Sequence, residues 1–144
     1  MLDKTILLVE DNPSDIELTK RALSKSRIGN ELIVKEDGLE ALTYLFEECG
    51  KPGKASLPTL ILLDLKLPVV DGMEVLRRIR TDERTKRLPV VILTSSGETV
   101  DIGNSYDLGA NSFIRKPVDF NQFAEAVKYL GLYWLVINEP PPTT

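Results

Sequence analysis

Five short apolar runs alternate along the chain with segments of helical periodicity. The runs cover residues 5–9, 31–36, 60–63, 90–93 and 112–115. Short apolar runs bounded by turn residues are typical of strands, and strands that alternate with helices predict a parallel sheet with helices on both faces. The second run partly alternates between polar and apolar residues, as expected of a strand near the sheet edge. We therefore predict an α/β fold with a doubly wound, five-stranded parallel sheet.

Helices are predicted between these strands and after the last one. Their approximate extents are residues 13–26, 38–48, 72–85, 97–108 and 120 onward. The apolar stripe of the second helix consists of Leu39, Leu42, Leu45 and Phe46. The fourth helix contains Gly103 and Asn104, which lower its helix propensity.

The last helix carries a longer apolar stripe than one sheet requires. Asp119 is its predicted N-cap. The stripe repeats at steps of three and four through Phe120, Phe123, Val127, Leu130 and Trp134. Packing against the sheet accounts for this stripe as far as about Leu130. We expect the apolar residues 133–137 beyond it to contact another subunit.

Length and composition bound the class of protein. The 144 residues suit one domain, predicted over residues 1–138, with a flexible, proline-rich tail over residues 139–144. The net charge of −4 argues against a nucleic-acid partner. No apolar segment approaches the roughly 20 residues that a membrane helix needs, and the start has no stretch typical of a signal peptide. The single cysteine, Cys49, cannot form an internal disulfide. We expect a cytoplasmic protein that does not span a membrane.

The chain contains no histidine. This excludes catalysis of the Ser-His-Asp and Cys-His kinds and removes the commonest transition-metal ligand. Any chemistry that requires phosphohistidine must therefore use the imidazole of a partner protein.

Polar residues that can carry chemistry follow four of the five predicted strands. Glu10 and Asp11 follow the first strand, Asp64 the third, Thr94 the fourth and Lys116 the fifth. Because the carboxyl ends of parallel strands share one edge of the sheet, we expect these side chains in one pocket. Each has a simpler interpretation, as a turn cap, a helix cap or a surface lysine. Their occurrence at four successive strand ends favours a functional pocket.

The residue types in this pocket suit a metal ion and a phosphoryl group. Neighbouring carboxylates raise one another's pKa unless a cation neutralises them, and oxygen-only ligands with open positions suit Mg²⁺. We predict Asp11 and Asp64 as direct ligands, with Glu10 binding a metal-bound water. Lys116 and Thr94 provide a cation and a hydroxyl donor for a phosphoryl group on Asp64, and aspartate is a known acceptor in phosphoryl transfer.

The motifs around these residues resemble those of response-regulator receiver domains. The matching segments are Ile6-Leu7-Leu8-Val9-Glu10-Asp11-Asn12, Leu62-Leu63-Asp64-Leu65-Lys66-Leu67-Pro68, Asp71-Gly72, Thr94-Ser95 and Lys116-Pro117. The resemblance covers nearly the whole chain. It implies a flavodoxin-like fold, phosphorylation of Asp64 by a partner histidine kinase, and a Mg²⁺ site completed by the backbone carbonyl of Lys66.

Other motifs resemble the stand-alone regulators that are paired with bacterial phytochrome kinases. They are the Glu10-Asp11 pair, the loop over residues 49–58, the segment 105–111 and the Tyr133-Trp134-Leu135 extension. This resemblance implies a red-light-sensing kinase partner and a homodimer built on the last strand and last helix. The expected dimer or partner surface comprises Tyr106, Phe123, Val127, Leu130 and Trp134.

Phe113, three residues before Lys116, occupies the position of the family's switch aromatic. A phenylalanine cannot make the hydrogen bond of a tyrosine, so only ring packing can signal its position. The simpler interpretation is a core residue. Our hypothesis is that phosphorylated Asp64 draws the Thr94 hydroxyl inward and that Phe113 turns into the space left, which alters the face near Tyr106 and the last helix.

Three alternatives belong to other functional classes. A phosphatase of the haloacid-dehalogenase type also uses an aspartate nucleophile and Mg²⁺, but Lys66 stands where its pattern has a second aspartate. A flavodoxin-type binding module would need a phosphate-binding loop after the first strand, where Glu10 and Asp11 would repel phosphate. A pseudo-receiver that only scaffolds partners would not require the complete set of pocket residues.

Overall fold

A five-stranded, all-parallel sheet forms the centre of the fold. The computed structural model describes residues 4–26, 31–49, 56–95, 97–116 and 119–142, so residues 50–55 of the predicted loop lie outside the description. The strands are β1 (Thr5–Val9), β2 (Glu31–Lys35), β3 (Leu60–Leu63), β4 (Val90–Thr94) and β5 (Ser112–Arg115). They are arranged in the order β2-β1-β3-β4-β5, the flavodoxin-like order. The predicted fold class is confirmed, and β2 is an edge strand as expected.

Five α-helices follow the strands in alternation. They are α1 (Pro13–Ser26), α2 (Gly38–Thr43), α3 (Gly72–Thr81), α4 (Thr99–Asp107) and α5 (Phe120–Leu132). Two of them, α2 and α5, continue as single π-helical turns at Tyr44–Glu48 and Tyr133–Ile137. None of the described helices is both long and apolar enough to span a bilayer.

The third helix is shorter than its sequence predicts. It ends at Thr81 rather than near Thr85, because Asp82 adopts an extended backbone conformation. The buried hydroxyl of Thr85 then donates a hydrogen bond to the carbonyl of Ile79 at 2.7 Å, which satisfies a carbonyl that the last turn leaves without a helical partner.

Alternate residues of the strands face two separate cores. Leu7, Ile61 and Ile92 pack with α2 and α3 on one face of the sheet. On the opposite face, Leu8 and Leu62 pack with α1 and α5. Because interior parallel strands are covered on both faces, they consist of continuous apolar residues, as the sequence indicates. Among the residues of α4, all of which the structure describes, Ser105 alone is buried.

The predicted partner surface on α5 needs correction. Phe123 and Val127 are only 3% and 1% exposed, because their side of α5 packs against the sheet and α1. They belong to the core and are not available to a partner. Leu130 and Trp134 are half-buried against the same core, whereas Tyr106 on α4 is exposed.

The π-helical turn after α5 divides its residues between the core and solvent. Leu135 is buried, and the ammonium group of Lys4 donates a hydrogen bond to its carbonyl. Tyr133, Val136 and Ile137 are exposed. The expectation that residues 133–137 contact another subunit therefore does not apply to Leu135, which packs within its own chain.

The predicted stripe of the second helix is confirmed for Leu42 and Leu45, which are buried, and for Phe46, which packs against the same core. Leu39 does not belong to it and is 51% exposed. Gly38, and not its larger neighbour, packs against the loop that follows β3.

Candidate functional site

The five predicted site residues lie at one edge of the sheet because the strand pairing continues past the strand ends. The Glu10 amide donates to the carbonyl of Lys35 at 3.0 Å, the Asp64 amide to that of Val9 at 3.1 Å, and the Lys116 amide to that of Thr94 at 2.7 Å. These bonds fix the backbone of each site residue against the neighbouring strand. Because these segments lie next to one another in the strand order, Glu10, Asp64 and Lys116 meet at one place.

Lys116 is the centre of this site. Its ammonium group donates to Glu10, to Asp15 Oδ2 at 2.8 Å and to Asp64 Oδ2 at 3.2 Å. The two carboxylates contributed by the strand ends are largely withdrawn from water, with Glu10 2% and Asp64 7% exposed. Buried charges require partners, and the lysine supplies one for all three acids.

Burial and charge shift the pKa values of this cluster in opposite directions. Burial raises the pKa of Glu10 to about 7; the hydrogen bond from Lys116 opposes the shift and the negative charge of Asp64 adds to it. Burial alone would lower the pKa of Lys116, but its hydrogen bonds to Asp15 and Glu10 and the charge of Asp64 outweigh burial and raise it. Lys116 is therefore a permanent cation at neutral pH.

Three of the acids fit a divalent metal ion. Glu10, Asp11 and Asp64 each offer a carboxylate oxygen, and these oxygens lie within 4.8 Å of one another. Asp11 is exposed, which leaves open coordination positions on the solvent side. An all-oxygen ligand set with open positions suits a hard cation of the Mg²⁺ type. The backbone amide of Lys66 donates to Asp64 Oδ1 at 3.3 Å and so orients the shared ligand.

A groove of about 460 Å³ borders the cluster at Asp11. Its lining residues are Asp11, Leu65, Lys66, Leu67, Pro68, Asp71, Met73 and Asp101. The groove therefore connects the predicted metal ligand Asp11 with the loop after β3.

Thr94 and Phe113 lie on the side of the site toward β4 and β5. Thr94 is fully buried at the end of β4. Phe113 is half-buried and packs against the core on the α2 and α3 face, so it combines a core contact with partial access to solvent. The sheet register pairs Ile92 with Phe113 and Thr94 with Arg115, which brings these two segments side by side.

Asp15 belongs to the site although it was not among the predicted site residues. The cap is Asn12, whose Oδ1 accepts hydrogen bonds from the amides of Ser14 at 2.9 Å and Asp15 at 3.2 Å. The carboxylate of Asp15 is thereby left for Lys116. The available signal was its place in the first turn of α1, directly after the strand end that carries Glu10 and Asp11.

Comparison with known proteins identifies the family of this site. Residues 6–128 match the family described as the response regulator receiver domain. The chain belongs to this family. The match confirms the resemblance seen in the sequence motifs and displaces the phosphatase and flavin-binding alternatives. Receiver domains are generally signalling proteins that bind a divalent metal at an acidic site.

Individual receiver proteins resemble the chain over almost their whole length. Response regulator Rcp1 from Synechocystis sp. strain PCC 6803 is 40% identical over 132 residues, which cover 92% of this chain and 89% of Rcp1. The phosphorylated cyanobacterial phytochrome response regulator RcpA superposes with a TM-score of 0.89 at 44% identity, covering 98% of this chain and 100% of RcpA. The Mn²⁺-bound form of Rcp1 superposes with a TM-score of 0.86 at 39% identity, covering 96% and 99%.

Replacement of Lys116 tests whether its charge holds the acids of this receiver domain together. In metal-free buffer, we expect Lys116→Met to lower the free energy of unfolding by about 3–5 kcal/mol, because removal of one partner leaves buried carboxylates uncompensated. An added divalent cation should reduce this loss of stability in Lys116→Met, since the cation can neutralise the same acids. Urea denaturation with chelator and with added cation measures both effects.

Lys128→Met on the exposed face of α5 is the matched control, and its effect should stay within about 0.5 kcal/mol. Equal stability of the Lys116 and Lys128 variants in chelator would contradict the role assigned to Lys116.

Proposed function

We propose that the chain is a response regulator that accepts a phosphoryl group on Asp64 from a partner histidine kinase in a Mg²⁺-dependent reaction. Phosphorylation then changes the surface through which the chain binds its targets. The observation that carries the proposal is the contact of Lys116 Nζ with Asp64 Oδ2 at 3.2 Å beside the Glu10-Asp11 pair. That contact puts a cation where a phosphoryl group on Asp64 would develop negative charge.

The chemistry follows from the groups around Asp64. A carboxylate oxygen of Asp64 attacks the phosphorus atom, and the bond between phosphorus and the imidazole nitrogen of the partner breaks as the new bond forms. Lys116 stabilises the charge on the transferred oxygens, and the Thr94 hydroxyl donates to one of them. The absence of histidine from this chain places the donor imidazole on another molecule.

Mg²⁺ is the cation that we assign to the acidic cluster. Asp11 and Asp64 would hold the ion directly, Glu10 would bind a metal-bound water, and the backbone carbonyl of Lys66 would complete the protein ligands. Bound there, the ion neutralises charge on the carboxylates and on the phosphoryl oxygens. Response regulator Rcp1, 39% identical in sequence, is described in a Mn²⁺-bound form, which supports a divalent ion in this chain.

A phytochrome histidine kinase is the partner that we propose. RcpA, 44% identical to this chain, is described as a cyanobacterial phytochrome response regulator. The similarity extends over nearly all of both chains and includes the C-terminal helix, which the family match to residues 6–128 does not fully cover.

Phosphorylation of Asp64 can be tested without the kinase. With a small phosphodonor such as phosphoramidate and Mg²⁺, we expect the intact mass to increase by one phosphoryl group, because the site supplies all protein groups that the transfer needs. Asp64→Asn should abolish the increase, and chelation of Mg²⁺ should reduce the rate by at least about 10²-fold. Intact-mass spectrometry over time measures the phosphorylated fraction.

Asp107→Asn, an exposed carboxylate at the end of α4, is the matched control and should be phosphorylated like the unmodified chain. A mass increase that persists in Asp64→Asn would show that the acceptor is another residue.

Thr94 and Phe113 are the residues that we propose transmit the effect of phosphorylation. The buried Thr94 hydroxyl moves toward the phosphoryl group, and the half-buried ring of Phe113 turns into the space that it leaves. Because β5 lies beside β4 at the sheet edge, this change reaches α4 and the exposed ring of Tyr106. The simpler interpretation, in which Phe113 is only a core residue, predicts no such transmission.

The variant Phe113→Ala tests whether phosphorylation can occur without the structural change that normally follows it. In Phe113→Ala, we expect phosphorylation within about twofold of the normal rate but loss of the phosphorylation-dependent change in amide hydrogen exchange over α4. Hydrogen exchange followed by mass spectrometry measures both states. Phe46→Ala, another half-buried phenylalanine of the same core, should keep the response. A normal response in Phe113→Ala would leave Phe113 as a core residue only.

We also propose that the chain forms a homodimer through its C-terminal helix. Exposed apolar side chains recur there three, four, seven and eight residues after the first, a spacing that keeps them on one side of a helix. This C-terminal apolar stripe consists of Tyr129, Leu132, Tyr133, Val136 and Ile137. A continuous exposed apolar stripe indicates an interaction surface. The stripe replaces Phe123 and Val127, which are buried, as the dimer surface, and half-buried Trp134 and Leu130 border it.

A charge within the stripe should separate the subunits. We expect Val136→Glu to weaken dimerisation by about thirtyfold, equivalent to loss of a hot spot of about 2 kcal/mol. Sedimentation equilibrium, with and without phosphodonor, gives the association constant. Leu39→Glu on α2 replaces a similarly exposed apolar residue outside the stripe and should have no effect. A chain that is monomeric in both states contradicts the proposed dimer.

A further inference from the structure

The loop between β3 and α3 is wound by short-range backbone hydrogen bonds. The amide of Leu67 donates to the carbonyl of Leu65 at 3.2 Å, and the amide of Gly72 donates to the same carbonyl at 3.0 Å. The amide of Val70 donates to the carbonyl of Pro68 at 2.8 Å. The loop begins at Asp64 and contains Lys66, so its shape decides where the Lys66 carbonyl points relative to the Asp64 carboxylate.

One residue of this loop is held in a strained conformation. Val69 has φ of +68°, in the left-handed region that β-branched residues avoid. With the bond between Val70 and Pro68, this makes a three-residue γ-turn of the rare, positive-φ kind. The Val69 side chain is 72% exposed, so core packing does not impose the strain. Something else must hold the turn, since strained residues persist only where their surroundings over-determine them.

The N-terminus of α2 supplies that support. The amide of Gly38 donates to the carbonyl of Pro68 at 3.3 Å, so this carbonyl accepts bonds from both Gly38 and Val70. The backbones are so close that a Cβ on Gly38 would overlap the carbonyl oxygen of Val70 and lie 2.7 Å from its carbonyl carbon. Both clashing atoms are backbone, so no side-chain rotation could relieve the overlap.

The other end of the loop is held in the same way by α3. A Cβ on Gly72 would overlap the carbonyl oxygen of Asp64 and lie 2.6 Å from the Cα of Leu65. Asp71, the preceding residue, caps α3 by accepting a hydrogen bond from the amide of Glu74 at 3.0 Å. Close backbone contacts with two helices thus enclose the loop from both sides.

We propose that Gly38 is a positioning residue for the metal site. The N-terminus of α2 braces the strained turn at Val69 and thereby sets the direction of the Lys66 carbonyl toward the cation held by Asp11 and Asp64. This inference rests on the proposed function, because it presumes that the acidic cluster binds Mg²⁺. Gly38 does not itself contact the cluster and acts through the loop.

The first test compares two glycine-to-alanine substitutions by calorimetric titration with Mg²⁺. Gly38→Ala should push the loop outward and weaken Mg²⁺ binding by about 10- to 100-fold, the usual effect of disturbing an outer shell. Gly103→Ala is the matched control, because a Cβ at Gly103 in α4 meets no atom within 4 Å. Its Mg²⁺ affinity should not change.

The second test replaces Val69 in the turn itself, because substitution of this exposed residue should not prevent folding. Val69→Gly accepts the positive φ without strain and should bind Mg²⁺ within about twofold of the unmodified chain. Val69→Pro fixes φ near −65°, forces the turn to rewind, and should weaken binding as Gly38→Ala does. At saturating Mg²⁺, both weakened variants should regain phosphorylation rates within about threefold of normal, since only the ion's binding has been impaired.

The outcomes separate this inference from the proposed function. If Gly38→Ala fails to fold, as circular dichroism would show, the Val69 pair decides the question. Normal Mg²⁺ affinity in Val69→Pro, or equal loss in Val69→Gly and Val69→Pro, would overturn the role of the braced turn while leaving Asp64 as acceptor. Absence of Mg²⁺ binding by the unmodified chain would overturn the proposed function, and this inference with it.

Discussion

The ion pairing of Lys116 with three carboxylates is the interaction on which the rest of the site depends. Glu10 and Asp64 are withdrawn from water, and each raises the cost of charge on the other. One lysine offsets that repulsion without filling the open side of Asp11. The cluster therefore remains acidic enough to attract a divalent cation while the chain is still folded without it. A fully neutralised cluster would bind no metal, and an unpaired one would oppose folding.

The parallel sheet brings these groups together from distant parts of the sequence. Glu10, Asp11, Asp64 and Lys116 follow their strands by one or two positions, and Thr94 ends β4. The strand ladder continues through the amides of Glu10, Asp64 and Lys116. The backbone at the site is consequently as well fixed as the sheet itself. Side chains at these strand ends are held in place by the sheet and do not depend on long loops. A fixed geometry suits a reaction that is catalysed by positioning and charge neutralisation.

The sequence predicted the elements and the strand-end residues well because both depend on local patterns. Apolar runs identify interior strands, and polar residues directly after them must lie at the carboxyl edge. The features that it did not predict depend on tertiary contacts. Asp15 is free to bind Lys116 because Asn12 caps α1. Leu39 faces solvent because its neighbour Gly38 packs against Val70, where only glycine fits. Phe123 and Val127 are buried because they pack in the core that α5 shares with α1. Apolar periodicity cannot distinguish a core stripe from an interface stripe.

The two sides of the site differ in how firmly they are held, and this difference suits a switch. The side that carries Asp64 and Lys66 is enclosed by close backbone contacts at Gly38 and Gly72. The side that follows Thr94 leads into α4, where Ser105 alone is buried and Gly103 and Asn104 lower the helix propensity. Under the proposed function, the new contacts of a phosphoryl group on Asp64 would move the weakly packed side and leave the enclosed side in place. The free energy of those contacts would then shift α4 and β5 and would not rearrange the acidic cluster.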